Sequence, residues 1–407
     1  MTERWRNVAS ATGLTGSDGV VRPTIFAEMT ALAMRTGAAN LGQGFPDEDG
    51  PEWIREIAVE ATRNGQNQYP PGRGIAALRE AIAAHQLRHY GIELDPETEI
   101  LVTAGATEGI AAVILALAGP EDEIVTLEPF YDAHAASIAM SGAKHVTVPL
   151  RPTAGGFRLD VDALRAAVGE KTKLILINTP HNPTGTVLQR DELEAIAAEA
   201  QRVDAIVVTD EVYEHLLFDG ATHVPMASLP GMLERTITIS SAGKTFSLTG
   251  WKVGWVSGPA EYIEAALAIK QFLTYSGGAP FQPAIARALT DGDADIAALR
   301  ETLDGRRALL TAGLHAAGFT TVQPSGTYFV CADATPFLGG SVTDGAAFAR
   351  ALPELVGVAC VPLSAFCAAG SDSANELANW VRFTFVKDEA TIREAITRLA
   401  ELSRPGA

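Results

Sequence analysis

The sequence predicts an α/β fold: a large domain with a mostly parallel sheet covered by helices, then a smaller C-terminal α+β domain. Three observations carry this expectation. Between about residues 75 and 260, short apolar runs recur with helical stretches between most of them. The runs lack apolar/polar alternation, which marks strands buried on both faces. After Pro283 the texture changes to a charged helix followed by scattered short strands. At roughly 150 residues per domain, 407 residues leave room for a large unit and a smaller one.

Taken in order, the first 45 or so residues are too irregular for a domain and are expected to wrap onto the rest. Ala76 to His89 reads as a helix, with Leu78, Ile82 and Leu87 among good helix formers and Gly91 as its stop. Strand-like runs follow at Ile100–Thr103, Glu123–Leu127, His145–Val148, Lys173–Ile177, Ala205–Val208 and Thr236–Ile239. Helices are expected over 107–118, 132–142, 160–168 and 191–203. Trp251–Val256 alternates more and suits a further strand. Beyond Pro283, a helix over about 295–318 precedes strands at 320–322, 328–331, 358–361 and 382–385, with helices at 344–352 and 388–403. The division expected is an N-terminal segment 1–45, a large domain 46–285 and a small domain 286–407.

Composition narrows the function. Lys+Arg 31 against Asp+Glu 49 gives a formal charge of −18. A nucleic-acid surface needs clustered cations, as does docking on anionic membranes, so neither partner is expected. Hydrophobic residues at 47% and charged residues at 20% exclude disorder. Cys331, Cys360 and Cys367 form no CxxC pair and their number is odd, so neither a zinc ribbon nor a disulfide scaffold is indicated. They are expected to pack in the small domain. Thr2 to Trp5 is polar with no apolar segment behind it, and the apolar stretch 110–118 is too short to span a bilayer. A cytoplasmic protein is therefore expected. His85 and His89 stand at i and i+4, yet no acidic third ligand or HExxH accompanies them, so they read as a solvated helix face and no metal is expected.

In parallel sheets ligands gather beyond the carboxyl ends of the strands, so the residues after each run matter most. After Thr103 comes Ala104-Gly-Ala-Thr-Glu-Gly109, a turn opening a helix. Its free N–H groups suit a phosphate, although alone it reads more readily as a plain cap. After Ile177 comes Asn178-Thr-Pro-His-Asn-Pro-Thr-Gly185, unusual for a mere connector. Thr209-Asp210-Glu211-Val-Tyr213 places an acid and a phenol at a strand end, where a lone acid would read as a helix cap. After Ile239 comes Ser240-Ser-Ala-Gly-Lys244, with Lys252 eight positions on. Ala-Gly-Lys-Thr lacks the earlier glycine of a nucleotide-hydrolase loop, since Thr238 occupies that position, so nucleoside-triphosphate binding is rejected. One cofactor uses the whole inventory of phosphate turn, amide, acid, phenol, serine and two lysines: pyridoxal 5′-phosphate. It needs an amine, an anion at its ring nitrogen, donors at its phenolate oxygen and N–H, hydroxyl and cationic groups at its phosphate.

The order Asn-Pro-Thr-Gly, Asp-Glu-Val-Tyr and Ser-x-x-Lys resembles the class I/II aminotransferases of the fold-type I pyridoxal-phosphate enzymes. The likeness runs from Asn40-Leu-Gly-Gln-Gly-Phe-Pro46 through Asn67-Gln-Tyr-Pro-Pro71 to Val381-Arg-Phe-Thr384. Ser241-Ala-Gly-Lys-Thr-Phe-Ser247 with Thr249-Gly-Trp-Lys252 is similar to kynurenine, glutamine and methionine aminotransferases. Asn40–Pro51 and Gly277-Gly-Ala-Pro-Phe-Gln-Pro283 resemble actinobacterial proteins assigned as N-succinyldiaminopimelate aminotransferases.

The resemblance implies a seven-stranded large sheet and a role for each matched residue. Lys244 becomes the Schiff-base lysine and the base at substrate Cα, Asp210 the partner of the pyridinium N–H, and Asn182 and Tyr213 the donors to the phenolate oxygen. Ala106, Thr107, Ser241 and Lys252 hold the phosphate, joined by Tyr69 from a neighbouring subunit, so a homodimer with shared active sites is implied. Tyr131 stacks on the ring and Asn178 lies near it. Arg382 binds the substrate α-carboxylate as a two-pronged fork; Gly44 lies against that carboxylate, with Asn182 also on the substrate. His134 stands where some relatives carry a histidine behind the aspartate, and an ordinary helix histidine is the alternative. The implied reaction moves an amino group between an amino acid and a 2-oxo acid. N-succinyl-LL-2,6-diaminopimelate with 2-oxoglutarate, in lysine biosynthesis, is the favoured pair, and kynurenine, glutamine or methionine donors are the alternative. A β-eliminating C–S lyase shares every cofactor residue. A regulator's aminotransferase-like half would carry a basic winged-helix domain, which the charge and the short leader argue against. Arg4, Arg6, Arg22, Arg73 and Lys270 are the candidate cations for a distal substrate carboxylate.

Overall fold

The computed structural model describes residues 4–16, 18–153 and 155–403; Thr2 and Glu3 of the polar start lie outside them. Its strands in chain order are β1 (Ala39–Asn40), β2 (Ile100–Thr103), β3 (Glu123–Glu128), β4 (Lys144–Thr153), β5 (Gly156–Leu159), β6 (Thr172–Asn178), β7 (Ile206–Asp210), β8 (Thr236–Ser241), β9 (Gly254–Ser257), β10 (Thr320–Val322), β11 (Phe329–Asp333), β12 (Val358–Ala359), β13 (Val361–Pro362) and β14 (Trp380–Thr384). The large sheet has the order β2-β9-β8-β7-β6-β3-β4-β5. Strands β3, β4, β6, β7 and β8 pair in parallel, whereas β9 runs antiparallel to both β2 and β8.

The uninterrupted apolar runs are explained by a helical layer on each face. Val125, Ile175 and Val207 pack with Leu193, Ile196 and Ala200 of the helix Arg190–Val203. Their neighbours Ile124, Leu174, Leu176 and Val208 pack with Ile110, Val113 and Ile114 of the helix Ala106–Leu117. Consecutive residues of one strand thus enter opposite cores, so none has a solvent side.

The sheet departs from the seven strands expected. Strand β5 adds an eighth by an antiparallel hairpin on β4. Phe157 and Leu159 are buried while Arg158 between them pairs with Asp191 at 2.9 Å, a short alternation that the apolar-run criterion passes over. The single strand expected over 358–361 is also two. Strand β12 pairs in parallel with β1, and β13 joins the antiparallel sheet β10-β11-β14-β13. Cys360 sits at the change of partner and is fully buried there. The irregular leader holds two helices, Arg4–Ala11 and Ile25–Thr36, the second capped by the Thr24 hydroxyl. The leader then ties itself to the smaller sheet, Leu41 N–H donating to Ala359 and Thr384 N–H to the Leu41 carbonyl at 2.8 Å.

Strand β9 passes unusually close to the turn at Gly105. A Cβ on Gly254, in β9, would stand 2.6 Å from the Gly105 carbonyl carbon and 2.8 Å from the Ala106 nitrogen. Both are backbone atoms that cannot swing aside. Gly254→Ala is therefore expected to lose roughly 1–3 kcal/mol of stability in denaturant unfolding, the usual cost of overpacking. Gly250→Ala, where a Cβ meets nothing within 4 Å, should leave the midpoint unchanged.

Candidate active site

The carboxyl ends of the parallel strands open into a cavity of about 370 Å³. Gly44, Ala106, Thr107, Tyr131, Asn178, Asn182, Asp210, Tyr213, Ser241, Lys244, Lys252 and Arg382 all line it. Tyr69 does not: it is 80% exposed, its ring edge-on to Tyr275 at 5.6 Å.

One end of the cavity is built for an anion. The helix Ala106–Leu117 begins at Gly105 with φ +77 and no side-chain cap, so its first N–H groups are left for something else. Ser241 precedes a second short helix, Ala242–Thr245, and likewise makes no capping bond. Lys252 arrives in left-handed backbone, φ 54, rare for a residue with a side chain and a sign of local constraint. A Cβ on Gly105 would lie 3.2 Å from Lys252 Nζ, so the glycine leaves room for that ammonium beside the helix terminus.

The opposite wall is acidic. Asp210 ends β7 and is buried, with Oδ2 3.4 Å from His134 Nε2 and Oδ1 accepting the Val212 N–H at 3.3 Å. His134 is buried too, edge-on to the Tyr131 ring at 5.7 Å, so it stands behind the aspartate rather than on a free helix face. Burial, then the nearby Asp132 carboxylate, push the Tyr131 phenol up to about 12. Asn178 fixes the geometry of two loops at once. Its Nδ2 donates to the Asp210 carbonyl at 2.7 Å and its Oδ1 accepts the Asn182 N–H at 2.7 Å. Glu211 faces away from the cavity and is a structural anchor, accepting from Thr209 at 3.0 Å and paired with His223 at 2.9 Å.

Between these walls Lys244 Nζ donates to the Tyr328 hydroxyl at 2.7 Å, which donates in turn to the Gly44 carbonyl at 2.6 Å. Tyr213 meets Tyr328 edge-on at 5.2 Å, and burial followed by Tyr328 raises the Tyr213 phenol well above its ordinary range. Tyr328 is a partner of Lys244 that motif spacing does not single out. The signal it leaves in the sequence is Ser325-Gly-Thr-Tyr-Phe329 ahead of a strand. Gly326 is forced by Pro180, 2.8 Å from where a Cβ would sit, and Thr327 is held at φ 64.

Arg382, in β14, is buried. Nη1 donates to Asn182 Oδ1 at 2.8 Å and Nη2 to the Gly42 carbonyl at 3.1 Å, while Nε has no partner. The guanidinium lies 3.9 Å from the Phe329 ring centre, 4.6 Å from Phe366 and 5.6 Å from Phe26. Among the described residues no carboxylate forms an ion pair with it. Burial lowers its pKa to about 10, which still leaves it charged at neutral pH. Gly44 is required by packing: a Cβ there would come within 2.7 Å of the Phe329 ring.

A second cavity of about 600 Å³ shares Phe26, Tyr131 and Asp132 with the first. Of the five candidate cations it is Arg22 that lines it, at present held by Asp18 at 2.5 Å. Arg73 is engaged by Glu264 at 2.7 Å, and Lys270 by the carbonyls of Gly72 and Tyr275. Arg6 lies over its neighbour Trp5, and the side chain of Arg4 lies outside the described residues.

The solvated face expected of His85 and His89 fails for His85. That residue is 1% exposed, and its Nε2 is 2.8 Å from Nε2 of His215, brought from the turn after β7. Cys331 and Cys360 are buried free thiols, Cys367 a half-buried one. Among the described residues no helix is long and apolar enough to cross a membrane.

Residues 36–399 match the family model of class I and II aminotransferases. Over 384 residues, 93% of this chain and 96% of the relative, the sequence is 56% identical to a probable N-succinyldiaminopimelate aminotransferase of Mycobacterium tuberculosis. It is 38% identical over 379 residues to a methionine aminotransferase of Escherichia coli, covering 93% of this chain and 96% of that one. The solved structure of N-succinyldiaminopimelate aminotransferase from Mycobacterium tuberculosis superposes with a TM-score of 0.92 at 53% identity, over 99% of this chain and 100% of that one. The mixed large sheet, the small antiparallel sheet and the cavity between them are thus those of a fold-type I enzyme, and the chain belongs to the class I and II aminotransferases, which move an amino group between amino acids and 2-oxo acids.

Proposed function

We propose that this aminotransferase takes N-succinyl-LL-2,6-diaminopimelate as amino donor and 2-oxoglutarate as acceptor, with pyridoxal 5′-phosphate in the larger-sheet cavity. The observation that carries the reading is Arg382, a buried cation with no ion-paired carboxylate among the described residues, directed at a cavity whose other end is a second anion site. Such a charge stays buried at a cost unless an anion meets it. An α-carboxylate at Arg382 and a phosphate at the uncapped helix satisfy both ends.

The donor set fits the cofactor. Uncapped N–H groups at Ala106 and Thr107, the Ser241 hydroxyl and the Lys252 ammonium would hold its phosphate, Asp210 its ring nitrogen, Asn182 and Tyr213 its phenolate oxygen, and Tyr131 its ring face. When bound it supplies an aldehyde for an amine and a protonated ring that draws electrons from the substrate Cα. The protein's own part is to orient and to move protons. Arg382 and Asn182 fix the α-carboxylate so that the Cα–H faces Lys244, whose Nζ takes that proton. His134 behind Asp210 holds the carboxylate aimed at the ring nitrogen.

Substrate choice rests on Arg22. The 600 Å³ side cavity begins at Phe26 and Tyr131, where a long side chain would leave the reaction centre, and Arg22 is a guanidinium there able to exchange Asp18 for a distal carboxylate. The mycobacterial relative named for the same substrate supports this. The proposal includes a homodimer, Tyr69 completing the partner's phosphate site. Tyr69, Phe272 and Tyr275 are exposed at 80%, 84% and 49%, more aromatic surface than a solvent face ordinarily shows. It also includes the division 1–45, 46–285 and 286–407, and, given three unpaired cysteines, a place in cytoplasmic lysine biosynthesis.

Half-reactions followed by the cofactor's absorbance test the reading. N-succinyl-LL-2,6-diaminopimelate and glutamate should convert the spectrum faster than methionine, glutamine or kynurenine, and Lys244→Ala should leave every donor inert. Arg22→Ala should raise KM for the succinylated donor about tenfold, the worth of one charge-assisted bond, with the methionine rate unchanged. If kynurenine were preferred and Arg22→Ala silent, the substrate assignment would be wrong. Arg382→Lys should lower kcat/KM for donor and acceptor alike, by about 30-fold or more, because an ammonium cannot replace the fork between Asn182 and Gly42.

A further inference from the structure

We infer that His85, His89 and His215 form a binding site for one divalent transition-metal ion of the zinc type, separate from the catalytic cavity. The three imidazoles each offer a ring nitrogen, all within 4.8 Å of one another. Two come from one face of the helix Ala76–Tyr90 at i and i+4, which places them one turn apart. The third comes from the turn after β7, 130 residues away.

Several features suit a cation better than a plain histidine stack. The His85 and His215 rings lie 4.9 Å apart and almost perpendicular at 87°, and the His85 and His89 rings are 4.4 Å apart. Imidazole ligates metals in its neutral form, which the burial of His85 favours. Nδ1 of His85 is buried without a hydrogen-bond partner, so no acceptor there fixes which nitrogen carries its proton. His89 Nε2 stands 3.5 Å from Asp293 Oδ1, leaving its other nitrogen for a metal; a carboxylate behind the ring is the usual orienting partner of a ligating histidine. The Asp293 carboxylate is shared with Arg88 at 3.0 Å, which tempers the local negative charge but does not occupy the cluster.

Access and geometry set what binds. The His89 and Asp293 side chains are 27% and 53% exposed, giving an entry path and a solvent-supplied fourth ligand. Three neutral nitrogens with one open position match tetrahedral zinc. At the usual zinc–nitrogen length two ligating nitrogens stand about 3.3 Å apart. Nε2 of His85 and of His215 are 2.8 Å apart around a shared proton, so the rings part by about half an ångström as that proton moves to Nδ1 or to solvent. The ion would tie the helix Ala76–Tyr90 to the turn that carries Tyr213, two residues before His215.

The test uses the cofactor-loaded holoenzyme, dialysed against a chelator and titrated with Zn2+ in competition with a chromophoric chelator, and separately with Co2+. One equivalent per chain should bind, with a rise in Tm and, for Co2+, visible d–d bands. His89→Ala and His215→Gln should each weaken Zn2+ binding by at least about tenfold and abolish the Tm rise. His85→Gln is a harsher change, since that ring is buried, so the partly exposed His89 is the arbiter. The inference is overturned if the wild type binds no Zn2+ under competition, or if His89→Ala and His215→Gln, folded with the metal-free wild-type Tm, bind it as the wild type does.

Discussion

One guanidinium joins three distant parts of this chain. Arg382 leaves the small sheet through β14, reaches Asn182 in the loop after β6, and closes on the Gly42 carbonyl in the N-terminal leader. Burying a cation without a directly ion-paired carboxylate is expensive, and a structure that does so needs compensation elsewhere. Here three aromatic rings, from Phe26, Phe329 and Phe366, offer their negative faces, and one ring comes from each of the leader, β11 and the segment after β13. The leader therefore forms part of the cage that keeps this charge poised. Removing Phe26 or loosening β14 would disturb the same group that is proposed to orient substrate.

The rest of the site depends on where the chain is forced to come close. Gly254 lets β9 pass against the Gly105–Ala106 backbone, which sets the uncapped helix terminus beside Lys252. Gly44 yields to the Phe329 ring, and its carbonyl then accepts from Tyr328, which in turn accepts from Lys244. Two residues with side chains, Lys252 and Thr327, are held in left-handed backbone next to these contacts. Constraint gathered at functional groups is the usual form of pre-organisation, sustained by the packed core beneath. Asn178, Asn182 and Arg382 on the cavity wall are linked by hydrogen bonds to one another or to neighbouring backbone, so their rotamers are already fixed when a ligand arrives.

Most of the large sheet is legible in the sequence because most of its strands carry an unbroken apolar run, and the site residues are legible because they come at or just after the ends of those runs. Asp210 closes a strand, and Asn182 and Lys244 are a short step past a strand end. What escapes such reading is tertiary. Tyr328 reaches Lys244 from 84 residues away, and His215 meets His85 across 130, so no local spacing announces either pair. Strand β5 escapes because a short hairpin with one buried pair lies below the length at which alternation is readable. The split at Cys360 escapes because a change of strand partner leaves no mark on hydrophobicity. Arg22 is one of several equal cations in the sequence, and its place beside Phe26 is a property of the folded leader alone.

The central claim is that Lys244, held between Tyr328 and Gly44 at the carboxyl edge of the sheet, is the amine that bonds the cofactor. Peptide mapping by mass spectrometry after borohydride reduction of the purified holoenzyme tests it most directly. The account predicts one pyridoxyl-phosphate mass per chain, on the peptide containing Lys244 and at that residue. A label on Lys252 or elsewhere, or no label on protein that is otherwise active, would contradict it.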